Sequence, residues 1–370
     1  MRFSAAQDQT ASALQHVIRV IQPQNTMAIV TGVQLEAEEG VLRLSATDLS
    51  NHIVAEIPCE VTEPGYVVLP ATTFSDLIHR LPTATFELST EEATGRAIIR
   101  YGRNKAAING FGREMLPEFP GIDTVVMKAI ELPAGTLGSL SRQLLFACSK
   151  DDARPILKGV YLKLANGRLV MVTTDGSRLS HSWLPIPDYR GPEQSVVISP
   201  KILTEGARLN TSQLLSLTVG EGLIELSTPG ITFTGRLLDG QYPDYDRVVP
   251  TEYISHCRIP LADARGALER VSLISAKERS TPLRIRIDSG SLEFSTQAAE
   301  IGQAEEIIDC PTDGQNLDIL FNPGYILDAV KSLDGEDIII EFSGIQSPAK
   351  IRSVDNSSYF HVLLPLRQLV

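Results

Sequence analysis

The chain repeats one order of short motifs three times, and that repeat restricts what it can fold into more than any other feature. Near the start, Gly32-Val33-Gln34-Leu35 is followed by Gly40-Val41-Leu42-Arg43-Leu44 and then by Ala46-Thr47-Asp48-Leu49. The same order returns about a third of the chain later as Gly159-Val160-Tyr161-Leu162, Gly167-Arg168-Leu169-Val170-Met171-Val172 and Thr173-Thr174-Asp175-Gly176. A third copy, Leu283-Arg284-Ile285-Arg286-Ile287, Gly290-Ser291-Leu292-Glu293-Phe294 and Ser295-Thr296, keeps strand, turn, strand and Ser/Thr but loses the Asp. A repeat this long is a whole domain rather than a solenoid unit, so three similar modules are expected.

The second half of each module divides the chain in the same way. Leu69-Pro70-Ala71 opens a helical run through Phe74, Leu77 and Ile78. Ser199-Pro200-Lys201 opens one through Ile202, Leu203 and Ala207, and Asn322-Pro323-Gly324 one through Ile326, Ala329 and Val330. Pro or a small polar residue stands where a helix start favours it, and apolar residues follow at three- and four-residue spacing. Each run leads into strand patterns: Thr85-Phe86-Glu87-Leu88, Leu215-Ser216-Leu217-Thr218-Val219 and Ile338-Ile339-Ile340-Glu341-Phe342. The expectation is an α+β chain with two helices and roughly eight short strands per module, bounded at 1-127, 128-254 and 255-370.

At 370 residues and 43% hydrophobic content, the chain has enough apolar material for ordinary cores. No apolar run approaches the ~20 residues that span a bilayer, and the start lacks the apolar stretch of a secretion signal, so a cytoplasmic protein without a membrane partner is expected. Cys59, Cys148, Cys257 and Cys310 lack the paired spacing of a zinc or redox site and are expected to be buried or incidental thiols. Phosphate-loop, zinc-protease, nucleophile-elbow and dinucleotide motifs are absent, and His16, His52, His79, His181, His256 and His361 are scattered. Adjacent acids at Asp151-Asp152 and Glu305-Glu306 read as solvated loop carboxylates. The expectation is a non-enzyme with no cofactor and no metal.

Three distant segments then carry a specific resemblance. Thr174-Asp175-Gly176-Ser177-Arg178-Leu179, Leu238-Asp239-Gly240-Gln241-Tyr242-Pro243-Asp244-Tyr245 with Arg247-Val248-Val249-Pro250, and Tyr359-Phe360-His361-Val362-Leu363-Leu364-Pro365-Leu366-Arg367 are similar to the beta subunit of bacterial DNA polymerase III, the replicative sliding clamps. The resemblance runs the full length in register with all three modules. It implies three clamp domains, each with two helices lining a pore, and a head-to-tail homodimer forming a six-domain ring around double-stranded DNA. It also implies a processivity role, with the polymerase III catalytic subunit, an ATP-dependent clamp loader, and other polymerases and repair proteins as partners. An accessory clamp paralogue or a multidomain protein-binding scaffold is the alternative from a different class.

Residue by residue, the resemblance places the dimer interface at Ala106, Ile108, Leu273 and Ile274. Leu273 and Ile274 read equally well as helix-end core residues without it. A net charge of −12 opposes ordinary DNA binding through phosphate neutralisation, so charge distribution has to matter more than its sum. Arg19, Arg80, Arg142, Lys150, Lys201, Arg208, Arg265, Arg270 and Lys331 lie on or beside the expected helices and are the candidate DNA-facing cations; a solvated helix face is an equal reading for each. Partner peptides with a Gln-Leu-x-Leu-Phe pattern are expected in a cleft formed by Leu157, Thr174, Gly176, Ser177, Arg178, Leu179, Pro243, Arg247, Val248, Val362, Leu363, Leu364, Pro365, Leu366 and Arg367. Its aliphatic walls would bury the peptide's Leu and Phe, while Arg178 and Arg247 fix orientation. Gln143-Leu144-Leu145-Phe146 resembles such a peptide but reads as helix core, and Gln368-Leu369-Val370 extends past the last motif.

Overall fold

In a computed structural model the chain is described for residues 1–370 except 83, 92–93, 113–114, 123–127, 276–280 and 368–370. The tail after Arg367 therefore lies outside the described residues. Six α-helices are present among the described residues: α1 (Gln7–Val17), α2 (Ala71–His79), α3 (Thr136–Leu144), α4 (Pro200–Leu209), α5 (Leu261–Ser275) and α6 (Pro323–Ser332). Each sequence repeat holds two of them, as its apolar spacing requires.

The chain forms two compact units, one of residues 1–137 with 204–237 and one of 138–203 with 238–370. The first holds two sheets. One runs, in spatial order, Glu60–Glu63, Arg2–Ala6, Thr85–Glu91, Arg96–Tyr101, Asn104–Asn109. The other runs Ile130–Leu132, Leu215–Val219, Leu223–Thr228, Ile231–Arg236, Asn51–Pro58, Val41–Thr47, Gly32–Glu38, Gly65–Pro70. In the second unit a nine-stranded sheet runs from Gln194–Ile198 through the central-repeat hairpins to Tyr359–Leu363 and on to Thr312–Gly314, and a four-stranded sheet runs Gly302–Asp309, Ser291–Ala298, Leu283–Asp288, Leu317–Phe321.

Local sequence explains these elements. Leu283–Asp288 alternates buried and exposed along its length, as a strand with one face on a core must. Asn322 caps α6, its Oδ1 accepting from the Gly324 and Tyr325 amides at 2.9 and 3.3 Å with Pro323 at the first helical position. The hairpins at Glu39-Gly40 and Asn166-Gly167 have positive φ at both residues, the conformation that tight two-residue hairpins need.

The two long sheets are each stitched from two repeats. Ile231–Arg236 of the central repeat pairs antiparallel with Asn51–Pro58 of the first, from Ile231↔Ala55 to Gly235↔Asn51. By the same rule Arg178–Pro185 of the central repeat pairs with Tyr359–Leu363 of the third, from Arg178↔Leu363 to Ser182↔Tyr359. In both cases the third strand after one repeat's first helix meets the last strand of the next repeat.

Candidate functional site

The second unit contains a cleft of about 550 Å³. One wall begins with Ala153 to Leu157, where Pro155 opens a single turn of 3-10 helix. The floor is the turn Thr174 to Leu179. Pro243, Asp244, Tyr245 and Val248 form a second wall, and Val362 with Leu364 a third. Val172, Leu179 and Val362 form a buried cluster beneath it, packed by Tyr161, Tyr245, Val249 and Phe360. Such a mostly apolar groove with a few polar groups at its rim fits a short amphipathic peptide.

The floor turn follows from its residue types. The Thr174 hydroxyl donates to the Arg178 carbonyl at 2.6 Å and accepts from the Gly176 amide at 3.0 Å. Asp175 Oδ1 accepts from the Ser177 and Arg178 amides at 2.9 and 3.1 Å. These bonds force the residue between into the left-handed region, where Gly176 sits at φ +93°. A Cβ on Gly176 would lie 2.8 Å from the Arg154 guanidinium, and Arg154 Nη2 donates to the Asp175 carbonyl at 3.1 Å.

Arg178 extends from this turn into the protein. Its side chain is 10% exposed, with Nε on Asp175 Oδ2 at 3.0 Å and Nη1 on Asp328 Oδ2 at 2.7 Å. Nη2 donates to the Phe146 carbonyl, and the guanidinium lies 4.2 Å from the Tyr325 ring centroid and 5.3 Å from that of Phe146. Beside it His361 is buried, its Nε2 shared with Ser332 Oγ at 2.9 Å and the Tyr359 hydroxyl at 2.5 Å. Burial and then the Arg178 charge push His361 down to about 3, so the ring is neutral at ordinary pH. His181, stacked on Phe360 at 4.5 Å, is pushed down to about 4 chiefly by burial. Burial raises Tyr245 to about 12.

Of the cleft residues read from sequence, Leu157, Thr174, Gly176, Ser177, Arg178, Leu179, Pro243, Val248, Val362 and Leu364 line the groove. Leu363 turns the other way and joins the third-repeat core, because neighbours on a strand face opposite sides. Arg247 stands on the rim, its side chain 84% exposed and paired with Asp244 at 2.8 Å. Pro365 and Arg367 follow the groove without lining it, and the Leu366 amide donates to the Leu320 carbonyl at 2.7 Å. The sequence reading missed Ala153, Arg154, Pro155, Ile156, Asp244 and Tyr245. Asp244 and Tyr245 stood inside a quoted motif; Arg154-Pro155 offered only a Pro that starts a turn. Leu144 is fully buried and the half-buried Phe146 packs on His361 at 5.2 Å, so the peptide-like Gln143–Phe146 stretch packs against its own chain.

The candidate cations are less uniform. Arg19, Arg80, Arg142, Lys150, Arg208, Arg270 and Lys331 are exposed, and Lys201 and Arg265 half-buried. Arg270 makes a bidentate pair with Glu306 at 2.7 Å, Lys331 meets Glu269 at 3.0 Å, and Arg208 pairs with Glu205. Arg265 caps α6, its Nη2 donating to the carbonyls of Lys331 at 3.5 Å and Leu333 at 3.2 Å. Of the candidate interface residues, Ala106 and Ile108 lie on the edge strand Asn104–Asn109, Leu273 is 70% exposed near the end of α5, and Ile274 is half-buried. No cluster of metal-ligating side chains occurs among the described residues, and among them no helix is long and apolar enough to cross a membrane.

Family models for the N-terminal, central and C-terminal domains of the DNA polymerase III beta subunit match residues 1–120, 131–244 and 246–367. The chain is 30% identical to the beta sliding clamp of Bacillus subtilis, over 99% of this chain and all of that one. Its fold is similar to the crystal structure of the DNA polymerase sliding clamp from Bacillus subtilis, with a TM-score of 0.94 at 29% identity, covering 100% of this chain and 99% of that one. It is also similar to a sliding clamp structure from Pseudomonas aeruginosa, with a TM-score of 0.92 at 28% identity and full coverage of both chains. With three domain models matched in order and a full-length relative at this identity, the chain belongs to the DNA polymerase III beta subunit family, the bacterial sliding clamps.

Proposed function

We propose that two copies of this chain close head to tail into a ring around duplex DNA and tether a polymerase to it, and that the ring itself catalyses nothing. The observation that carries this reading is the rule of the repeat joints. Within the chain, Ile231–Arg236 pairs with Asn51–Pro58 and Tyr359–Leu363 with Arg178–Pro185. The equivalent strands left over are Asn104–Asn109 of the first repeat and Gly302–Asp309 of the third, and each stands at an edge of its sheet. A second copy can supply the missing neighbour to each, which makes a heterologous contact that can close into a ring, of two chains in this reading. Lys105 on one edge and Glu305 and Asp309 on the other favour that pairing by charge. Ala106, Leu273 and Ile274 then form its apolar part, together with Ile307, which is 60% exposed, while Ile108, 8% exposed in the single chain, adds little contact area.

In this ring the three domains are bounded at 1–127, 128–254 and 255–370, and the helices with their cations face the DNA. Contacts there are weak and independent of base sequence, as sliding requires. The cleft takes the Gln-Leu-x-Leu-Phe-type peptides of the polymerase III catalytic subunit, a clamp loader, and other polymerases and repair proteins. The working compartment is the cytoplasm, and opening is driven by the loader rather than by a cofactor of the chain. The test is topological. Loaded with a clamp loader and ATP, the protein should stay on nicked circular DNA through gel filtration and leave once the circle is cut. Equal loss from circular and linear DNA would overturn the ring.

A further inference from the structure

The charged end of Arg178, a residue of the cleft floor, is held inside the protein, and one of its two carboxylate partners comes from outside the cleft. Asp175 belongs to the same turn. Asp328 lies 150 residues away on α6, in the third repeat, and meets Nη1 at 2.7 Å. The floor turn and the Val362–Leu364 wall are joined directly by backbone: Arg178 is registered against Leu363, and the Leu364 amide donates to the Ser177 carbonyl at 2.9 Å. Asp328 does not line the groove, yet it holds the side chain of the floor residue that is registered against this wall. The Tyr359 hydroxyl reinforces the same seam, lying within hydrogen-bond distance of the Gln143 carbonyl at 3.1 Å and of Ser332 Oγ on α6 at 2.6 Å. In the first repeat the residue equivalent to Arg178 is Asn51, which satisfies its own Asp48 at 3.1 Å from within the turn. The partner on α6 is therefore a feature of the cleft-bearing turn rather than of the repeat.

We propose that Asp328 is a positioning residue for the cleft: by holding Arg178 it sets the spacing between the floor turn and the Val362–Leu364 wall, and so the affinity for partner peptides. This rests on the reading of the cleft as a peptide site. Without the carboxylate, Arg178 keeps Asp175, the Phe146 carbonyl and the Tyr325 ring face but loses one charge-assisted bond, to a carboxylate that is 46% exposed, and the guanidinium is held less firmly.

The experiment uses the full-length chain and a fluorescent Gln-Leu-Ser-Leu-Phe peptide, read by anisotropy, with amide exchange at Leu364 as a readout that needs no ligand. Asp328→Asn should weaken the peptide about fivefold to tenfold, speed exchange at Leu364, and leave the melting temperature within a degree or two. Asp328→Glu should recover most of both. Asp318→Asn, which unpairs Arg284 on an exposed sheet face, should change neither. Unchanged peptide affinity in Asp328→Asn would overturn the proposal, as would slow Leu364 exchange in that variant. If the unaltered chain fails to bind the peptide, the cleft reading fails first and the proposal with it; the exchange data would then show whether Asp328 still holds the turn as architecture alone.

Discussion

The turns at Thr47–Asn51 and Thr174–Arg178 are the same piece of structure used twice, once as architecture alone and once as the floor of the cleft. In both, the Thr hydroxyl donates to the carbonyl four residues on, at 2.8 and 2.6 Å. In both, the Asp carboxylate accepts two backbone amides, from Ser50 and Asn51 in one case and from Ser177 and Arg178 in the other. The left-handed position is Leu49 at φ +74° in the first and Gly176 at φ +93° in the second. Leu49 carries a side chain there at a cost of roughly 1–2 kcal/mol, whereas a side chain on Gly176 would press on Arg154 at the mouth of the cleft. The last residue changes from a short neutral Asn51 to Arg178, long enough to reach α6. The Thr-Asp pair therefore specifies the turn, and the residues around it decide whether the turn does anything else.

Removing the last residue should separate the turns most strongly. Arg178→Ala leaves Asp175, whose side chain is 15% exposed, without its cation, and should cost about 3–5 kcal/mol in chemical denaturation. Asn51→Ala should cost about 1 kcal/mol. Equal losses would mean that Arg178 is not a buried clasp.

Acid should act next, and on the seam beside the second turn. His361 and His181 are held near 3 and 4 when folded and return to about 6.5 when unfolded. The unfolded chain thus takes up these protons first. Stability is complete above about pH 6.5 and falls by up to about 1.4 kcal/mol per pH unit for each ring as the pH drops toward the folded values. Denaturant titrations between pH 7 and 5 check the slope, and His361→Gln should flatten it. A slope unchanged by that substitution would place the proton uptake elsewhere.

The left-handed position gives a smaller and opposite pair of effects. Leu49→Gly should be neutral or stabilising by about 1 kcal/mol, and Gly176→Ala destabilising by a similar amount with weaker peptide binding. The smallest effect concerns the helix cations. Arg142→Ala should lower the slope of log affinity for DNA against log salt by about 1, because among the described residues its guanidinium meets the neutral Ser139 hydroxyl at 3.2 Å rather than a carboxylate. Arg270→Ala should change it less, since Glu306 already neutralises that side chain. A larger effect at Arg270 would show that DNA displaces the carboxylate.

The repeats themselves were legible because hairpin glycines, alternation and helix starts are local signals. Gly40, Gly167 and Gly290 all turn where the motif placed them. The cleft was legible for the residues near the Thr-Asp turn and the last strand. Leu363 belongs to the motif by sequence, but its strand position turns it into the core, because alternate residues of a strand face opposite sides and a continuous motif does not record which. Arg154 was missed because its role depends on lying over Gly176, 22 positions on in sequence, which no spacing signal records. The cations were legible as helix-face residues but not as ion pairs, since Glu306 reaches Arg270 from a strand 36 residues away.

Leu49 and Leu364 are both 40% exposed, so a charge at either is tolerated by the fold, and only one of them lies in the cleft. Anisotropy of a labelled Gln-Leu-Ser-Leu-Phe peptide titrated with the unaltered chain, Leu364→Asp and Leu49→Asp compares the two directly. The account predicts saturable binding by the unaltered chain and by Leu49→Asp, and a loss of about a hundredfold in Leu364→Asp from the lost apolar contact and the buried charge. Equal binding by all three would contradict it.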